Sequence, residues 1–169
     1  RIIVPQHLTD AVREALSKAL EQTTIGDPKN EKVRMGALAS QSQRADVLEK
    51  IQLLKSVSEV WFENTSANFL DANADTGAFI SPVVLYNQSP FEHLQSHEVE
   101  AFGPVATIMP YQNIDEAIEL VKLGKGSLVS SIVTYDNRIA KDFAIGAASH
   151  LGRILILNRE SAVESTGHG

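Results

Sequence analysis

The chain of 169 residues contains no cysteine. This excludes disulfide bonds, thiolate metal sites and a cysteine nucleophile within these residues, because each needs a sulfur atom that the sequence does not supply. The sequence also lacks a Gly-x-Gly-x-x-Gly turn and a Gly-x-x-x-x-Gly-Lys-Ser/Thr loop. A self-sufficient dinucleotide-binding domain is therefore not expected.

Positive charge is scarce relative to negative charge. Lys and Arg number 15 against 21 Asp and Glu, which gives a formal net charge of −6. A protein that follows a polyphosphate backbone needs a basic field that displaces counterions, so nucleic acid is not an expected partner. No apolar run approaches the ~18 residues of a membrane-spanning helix and no signal-peptide pattern is present, which predicts a soluble protein.

The sequence does contain a regular alternation of apolar and amphipathic segments. From residue 105 onward the predicted order is strand (105–109), helix, strand (128–133), helix and strand (154–157). Near-continuous apolar strands separated by helices are typical of a mostly parallel sheet with helices on both faces and right-handed crossovers. The sequence therefore predicts an α/β fold, organised as one domain over residues 1–169.

Two helices are predicted in the first third of the chain. The apolar residues that recur every four positions in the first helix are Leu8, Val12, Leu16 and Leu20. Ser40-x-x-Gln43 has the pattern of a capping box, in which the serine oxygen accepts a backbone N–H and the glutamine reaches back. The residues predicted to face inward in this second helix are Val47, Leu48, Ile51 and Leu54.

Pro82 interrupts an apolar stretch between 79–80 and 83–85. Because proline cannot donate a hydrogen bond to a strand ladder, this stretch is predicted to form an edge strand, a bulge or a bend rather than a central strand. The polar residues 87–97 that follow are predicted to be irregular.

The stretch from His97 to Val105 combines acids, an aromatic residue and a Gly-Pro pair directly before the strand at 105–109. Glu100 precedes this strand, and ligand sites in this fold class lie in the loops at strand ends. A carboxylate can accept two hydroxyl hydrogen bonds, which suits a ribose diol. The residue types alone nevertheless favour a solvated loop acid at Glu100 and a core position for Phe102.

Two further candidates have a simple structural interpretation beside a functional one. A cluster of metal-ligating residue types is formed in the sequence by His93, His97, Glu98 and Glu100. Histidines four residues apart face the same side only on a helix, and Pro90 together with the strand that follows makes a helix doubtful here, so a metal site is not expected. Asn158 ends the last predicted strand, where its amide either caps the turn or points into a site.

Six motifs occur in the order in which one enzyme family carries them. They are Arg1-Ile2-Ile3-Val4-Pro5, Gly26-Asp27-Pro28, Gly77-x-Phe79-Ile80-x-Pro82-x-x-Leu85, Glu100-Ala101-Phe102-Gly103-Pro104-Val105, Asp115-Glu116-Ala117-Ile118 and Gly152 to Asn158. Together they resemble the C-terminal part of the catalytic domain of aldehyde dehydrogenases. The sequence departs from that family's pattern at Asp46, where the family often has a lysine, and at Val99, where it has a second acid.

The resemblance implies an oxidoreductase that oxidises a small-molecule aldehyde to the carboxylic acid with NAD or NADP. In that family the glutamate matching Glu100 binds the nicotinamide ribose, and the phenylalanine matching Phe102 packs against the same end of the cofactor. Asn158 is expected to contribute to the substrate wall. A cytoplasmic homo-oligomer is implied as well.

The resemblance also implies what lies outside these residues. In the family the nucleophilic cysteine, the general-base glutamate and the Rossmann cofactor domain all precede the position of Arg1. The chain is therefore expected to be a fragment of the catalytic domain that carries no catalytic residue, binds the cofactor weakly and is inactive alone.

A narrower resemblance is carried by the last residues, Leu157 to Ser161 and Glu164 to Gly169. These are similar to the aldehyde dehydrogenase half of bacterial bifunctional phenylacetate ring-opening proteins, which oxidise an acyl-CoA semialdehyde and prefer NADP. The alternative from another class is a non-catalytic α/β interaction or oligomerisation module, in which the same elements present only a docking surface.

Overall fold

The computed structural model describes residues 1–65 and 68–164, so the predicted motif from Ser165 to Gly169 lies outside the described residues. The chain divides into two compact units, residues 1–110 and residues from 111 onward. The α-helices are α1 (Thr9–Glu21), α2 (Gln41–Lys55), α3 (Gln95–Glu98), α4 (Ile114–Lys122), α5 (Asn137–Ala147) and α6 (Arg159–Glu164). The strands are β1 (Ile2–Pro5), β2 (Glu59–Glu63), β3 (Val83–Tyr86), β4 (Val105–Tyr111), β5 (Ser127–Val133) and β6 (Leu151–Leu157).

The first unit is built on a four-stranded sheet with the order β1-β4-β3-β2. Strands β3 and β4 are parallel, with Val83 opposite Val105, whereas β2 runs antiparallel to β3. None of the helices in the described ranges is long and apolar enough to span a membrane.

The two faces of this sheet are covered by different helices. Val83 and Leu85 of β3 belong to a buried cluster with Val47, Ile51 and Leu54 of α2. Successive side chains of a strand point to opposite faces, so the residue between them lies on the other side. Val84 indeed belongs to a second cluster, against which the α1 residues Val12, Leu16 and Leu20 pack. The predicted α/β fold with helices on both faces is confirmed.

The second face also holds the only tryptophan of the chain. The ring of Trp61 stacks on Tyr86, with ring centroids 3.9 Å apart and an interplanar angle of 10°. The Arg13 guanidinium lies 4.9 Å from the centroid of the indole. Arg13 belongs to α1, so this stack joins the helix to the sheet through a cation–π contact.

The second unit contains a separate sheet, in which β5 and β6 are parallel and Ser127 lies opposite Leu151. The sequence pattern predicted one mostly parallel sheet, whereas the strands of the described residues form two sheets, one of four strands and one of two. Strand β4 has β1 on one edge and β3 on the other.

The prediction for Pro82 is also wrong in one respect. Strand β3 begins at the next residue and is an interior strand between β4 and β2. The first ladder bond of β3 runs from Val83 N to the Pro104 carbonyl at 2.9 Å. Because proline precedes this bond, its missing N–H leaves no gap in the ladder.

Two predicted core leucines lie at the surface instead. Leu8 is 44% exposed, because the backbone forms a 3-10 turn at Gln6–Leu8 and α1 begins only at Thr9. Leu48 of α2 is 37% exposed, whereas Val47, Ile51 and Leu54 are buried as predicted. The α2 stripe that faces the sheet is therefore narrower than the apolar pattern indicated.

A loop after α1 is held by backbone contacts that only glycine permits. Leu70 N donates to the Ile25 carbonyl at 2.8 Å, and Asp27 N donates to the Leu70 carbonyl at 3.0 Å. A Cβ atom on Gly26 would lie 2.0 Å from the Leu70 carbonyl oxygen. The backbone of the loop that carries Gly26-Asp27-Pro28 therefore packs directly against the backbone of Leu70.

We expect Gly26→Ala to lower the free energy of unfolding by about 1–3 kcal/mol, since the added methyl group forces two backbone segments apart. Gly36→Ala is the matched control, because a Cβ there would meet only the Pro28 ring at 4.0 Å. This control should change stability by less than about 1 kcal/mol. Urea unfolding followed by circular dichroism measures both, and equal stability of the two variants would contradict the packing argument.

Candidate functional site

The segment between α3 and β4 alternates between the core and the surface. Val99 and Ala101 pack against the buried cluster of α2, whereas Glu100 and Phe102 are exposed. Val99 has an extended backbone, with φ −92° and ψ 113°. The backbone then bends at Phe102, where Gly103 N donates to the Ala101 carbonyl at 2.8 Å, and the carboxylate of Glu100 and the ring of Phe102 are both exposed.

The core position predicted for Phe102 is wrong. Its side chain is 64% exposed. Val99, Ala101 and Val105 already occupy the space against the α2 cluster, so the ring has no apolar pocket of its own. An exposed phenylalanine beside an acid is a surface that a planar ligand can cover.

Glu100 is exposed, which agrees both with a solvated loop acid and with a carboxylate that binds a ribose. In the described part of the chain it belongs to no ion pair within 4 Å. A local ion pair that would close the carboxylate to a ligand is thus not formed among the described side chains.

Two residues of α2 hold this segment against the helix. A Cβ atom on Gly103 would lie 2.8 Å from Cγ1 of the fully buried Val47, so glycine is needed for this close approach. One turn earlier, Gln43 Nε2 donates to the Phe102 carbonyl at 2.7 Å. Residues 43 and 47 are four apart and therefore lie on one face of the helix.

The predicted capping box at Ser40 is present in modified form. Gln43 N donates to Ser40 Oγ at 3.1 Å, as predicted. The Gln43 carbonyl oxygen Oε1 accepts from Ala39 N at 3.0 Å rather than from Ser40 N. The bond from Gln43 to Phe102 was missed, because no sequence signal relates residues 59 positions apart.

His97 is committed to structural hydrogen bonds. The Arg1 guanidinium lies 2.9 Å from its Nδ1, and its Nε2 lies 2.8 Å from the Pro90 carbonyl. A guanidinium only donates and a carbonyl only accepts, so the ring is neutral with its proton on Nε2. Burial lowers the pKa of His97, which favours this state. Within residues 1–65 and 68–164, no three His, Asp or Glu side chains are grouped to hold a metal.

The loop before α3 is more ordered than its polar sequence predicted. Asn87 is fully buried, and its Nδ2 donates to the His93 carbonyl at 2.9 Å and to Ser96 Oγ at 3.0 Å. Its Oδ1 accepts from Ser89 N at 3.1 Å. One buried amide therefore fixes both ends of the segment that leads to Glu100. The sequence signal that could have revealed it is a lone asparagine directly after an apolar strand.

The remaining candidates differ in their surroundings. Asp46, which replaces the family's lysine, forms an ion pair with Lys50 at 2.9 Å. Asn158 lies in the second unit, where its Oδ1 accepts from Ser161 N at 2.9 Å and its own N donates to Ser161 Oγ at 2.9 Å. This reciprocal pair caps α6, which is the local role considered from the sequence.

The structure thus brings Glu100 and Phe102 together on one segment that α2 supports. A sequence model of the aldehyde dehydrogenase family matches residues 1–167. The chain belongs to the aldehyde dehydrogenase family. The predicted resemblance is confirmed, while the binding roles of Glu100, Phe102 and Asn158 remain predictions.

Two relatives show the similarity at the level of sequence. "Protein MaoC" from Klebsiella aerogenes is 44% identical over 139 residues, which cover 80% of this chain and 39% of that protein. The 3,4-dehydroadipyl-CoA semialdehyde dehydrogenase from Aromatoleum evansii is 34% identical over 170 residues, which cover 100% of this chain and 33% of that protein. This aldehyde dehydrogenase chain thus spans between 33% and 39% of the length of these relatives.

Solved structures show the same fold. Succinic semialdehyde dehydrogenase from Streptococcus pyogenes, in complex with NADP+ as the cofactor, has a TM-score of 0.77 at 25% identity, covering 91% of this chain and 32% of that chain. Betaine aldehyde dehydrogenase from Staphylococcus aureus has a TM-score of 0.79 at 21% identity, covering 92% of this chain and 30% of that chain.

We expect Asn158→Ala to destabilise α6 by about 1 kcal/mol, because Ser161 N loses its acceptor. Asn158→Asp keeps that acceptor and should leave α6 intact. Hydrogen exchange of the α6 amides separates the two variants. Equal protection in all three proteins would show that the cap does not hold the helix.

Proposed function

We propose that Glu100 and Phe102 form part of the cofactor site of an NAD- or NADP-dependent aldehyde dehydrogenase. The observation that carries this proposal is their joint exposure on a segment whose other residues, Val99 and Ala101, are partly buried and pack against the α2 cluster. A solvated loop acid needs no exposed aromatic neighbour and no such support.

The residues present fit the nicotinamide end of a dinucleotide. The Glu100 carboxylate offers two acceptor oxygens for the two hydroxyl groups of a ribose. The 64% exposed ring of Phe102 offers an apolar surface beside them. When bound, the nicotinamide supplies the hydride acceptor of the reaction.

In this proposal the residues of this chain orient the cofactor and do not supply the nucleophile that attacks the aldehyde. With no cysteine in 169 residues, a thiolate nucleophile has to come from another part of the enzyme. Holding the reacting groups in near-attack geometry contributes up to ~7–11 kcal/mol to catalysis in favourable systems. The support of Glu100 by α2 serves that positioning.

The substrate is proposed to be an acyl-CoA semialdehyde, oxidised to the carboxylic acid. The relative from Aromatoleum evansii, named for such a substrate, is 34% identical along the whole chain. The narrower resemblance to phenylacetate ring-opening proteins points to the same substrate class.

A longer catalytic domain, a cytoplasmic location and a homo-oligomeric assembly belong to this proposal through the family. Membership of an enzyme family does not favour the alternative of a non-catalytic module.

We expect Glu100→Gln in the full-length enzyme to weaken NADP binding and to slow single-turnover hydride transfer, together by roughly 10- to 100-fold. The reason is that an amide makes weaker bonds to hydroxyl groups than a carboxylate does. Cofactor titration and stopped-flow absorbance of NADPH measure the two effects.

The matched control is Glu92→Gln, which removes one exposed acid from the same loop region without touching the 99–102 segment. It should behave as the parent enzyme does. Unchanged hydride transfer in Glu100→Gln would contradict the cofactor role.

We also expect the isolated chain of 169 residues to show no dehydrogenase turnover with aldehydes and NADP, because it supplies no thiolate. Production of NADPH is followed at enzyme concentrations high enough to detect a single turnover. Robust turnover by the pure chain would show that the nucleophile lies within these residues and would overturn the proposed division of roles.

A further inference from the structure

We propose that a cavity beside the C-terminal end of α1 binds an amphipathic amine, which is a protonated amino group on a small apolar body. This inference does not depend on the proposed role of Glu100 and Phe102. Among the described residues that line the cavity, none belongs to α2 or to the 99–102 segment.

The cavity has the size of a small-molecule site. Its volume is about 460 Å³, within the range of roughly 300–1,000 Å³ that is typical of such sites. It lies within the first unit, where the end of α1, the loop that follows it, the end of β2 and residues 69–71 meet. The lining residues on which the argument depends are Leu20, Glu21, Ile25, Phe62, Phe69 and Asp71.

One part of the cavity wall is apolar and held in place by packing. Leu20 and Phe62 pack against the buried cluster on the α1 face of the sheet, and Ile25 is buried. The ring of Phe69 stacks on Phe79, with ring centroids 5.0 Å apart. Because Phe79 is itself buried, it holds the Phe69 ring in position. The apolar surface for a ligand is therefore already formed.

The charged part of the wall is entirely acidic. Glu21 and Asp71 line the cavity, whereas no Lys, Arg or His is among its described lining residues. In the described part of the chain neither acid belongs to an ion pair within 4 Å. A carboxylate without a cationic partner retains its full attraction for a positively charged ligand.

The end of α1 adds to the preference for positive charge. Glu21 is the last residue of α1, where the helix dipole is negative and a cation is favourable. Lys18 is the basic residue of this last turn, but it does not line the cavity. A bound ammonium group would therefore interact favourably with both the Glu21 carboxylate and the helix end.

The second carboxylate is fixed by its backbone and by one hydrogen bond. Asp71 has a φ of 51°, which aspartate tolerates better than most residues. The preceding residue, Leu70, is bonded on both sides to the loop at Gly26. Asp71 Oδ2 accepts from Asn30 Nδ2 at 2.6 Å. A carboxylate has about four acceptor positions, so this single bond leaves positions for a ligand.

The two parts of the wall together define the ligand. An ammonium group offers three donors to the carboxylates, and an apolar body can pack on the phenylalanine rings. Phosphate groups would be repelled by the acidic wall, so the cavity does not suit the coenzyme A part of the proposed substrate or the phosphates of NADP. It is thus a site separate from the one proposed for the cofactor.

The test uses the full-length enzyme and benzylamine, whose amino group is protonated at neutral pH. We expect saturable binding in isothermal titration calorimetry at low salt, with a Kd of about 1 mM for a ligand of this size. Benzyl alcohol and benzoate, which lack the positive charge, should bind at least roughly 3-fold more weakly. Absence of saturable benzylamine binding, or equal binding of benzyl alcohol, would overturn the proposal.

Substitutions locate the bound amine. Glu21→Gln and Asp71→Asn each remove one negative charge with little change of shape, and each should raise the Kd for benzylamine by roughly 3- to 5-fold. The matched control is Glu14→Gln, which removes an exposed acid of α1 that does not line the cavity and should bind benzylamine as the parent does. An equal Kd in Glu21→Gln and Glu14→Gln would refute the site.

Folding of the variants is checked by circular dichroism. If Asp71→Asn does not fold, Glu21→Gln alone decides, because Glu21 is an exposed residue at a helix end.

The cofactor separates this inference from the proposed function. Saturating NADP and the Glu100→Gln substitution should each leave the Kd for benzylamine unchanged, since neither acts on the lining residues. Competition between NADP and benzylamine would place the amine in the cofactor site and overturn the assignment to the cavity. Parent-like hydride transfer in Glu100→Gln, with benzylamine binding intact, would refute only the proposed cofactor role.

Discussion

The candidate site depends on one packing constraint, the close approach of the backbone at Gly103 to Val47 of α2. Val47 is fully buried, and a Cβ atom on Gly103 would lie only 2.8 Å from Val47 Cγ1. This contact sets where the chain turns from the exposed segment into β4. Because β4 lies between β1 and β3, the turn is fixed to the centre of the sheet rather than to a loose edge. Glu100 therefore stands on rigid support although it is itself exposed.

The sequence predicted the class of the fold well because local chemistry determines it. The apolar strands, the α2 cap at Ser40 and the buried α2 residues Val47, Ile51 and Leu54 were all visible as short-range patterns. The sequence pattern did not reveal how the strands are ordered within their sheets. It did not indicate that the strands separate into two sheets, since the residues of a strand do not specify which other strands pair with its two edges.

The candidate site shows the same division between local and distant information. The resemblance identified Glu100 and Phe102, while the residue types alone favoured a core position for Phe102. What decides its exposure is that Val99 and Ala101 pack against the buried α2 cluster and fill the neighbouring space. The hydrogen bonds that hold this segment could not be predicted. Gln43 and Asn87 each donate to a backbone carbonyl, and a backbone group carries no sequence signature.

The stack of Trp61 on Tyr86 has a practical consequence for spectroscopy. It lies on the α1 face of the sheet, whereas Val83 and Leu85 connect the α2 face to the segment of Glu100. The indole is the only one in the chain, so its emission reports on the environment of one face alone. Tryptophan fluorescence of the isolated chain can therefore serve as an internal reference, because its emission should not change when only the α2 face rearranges.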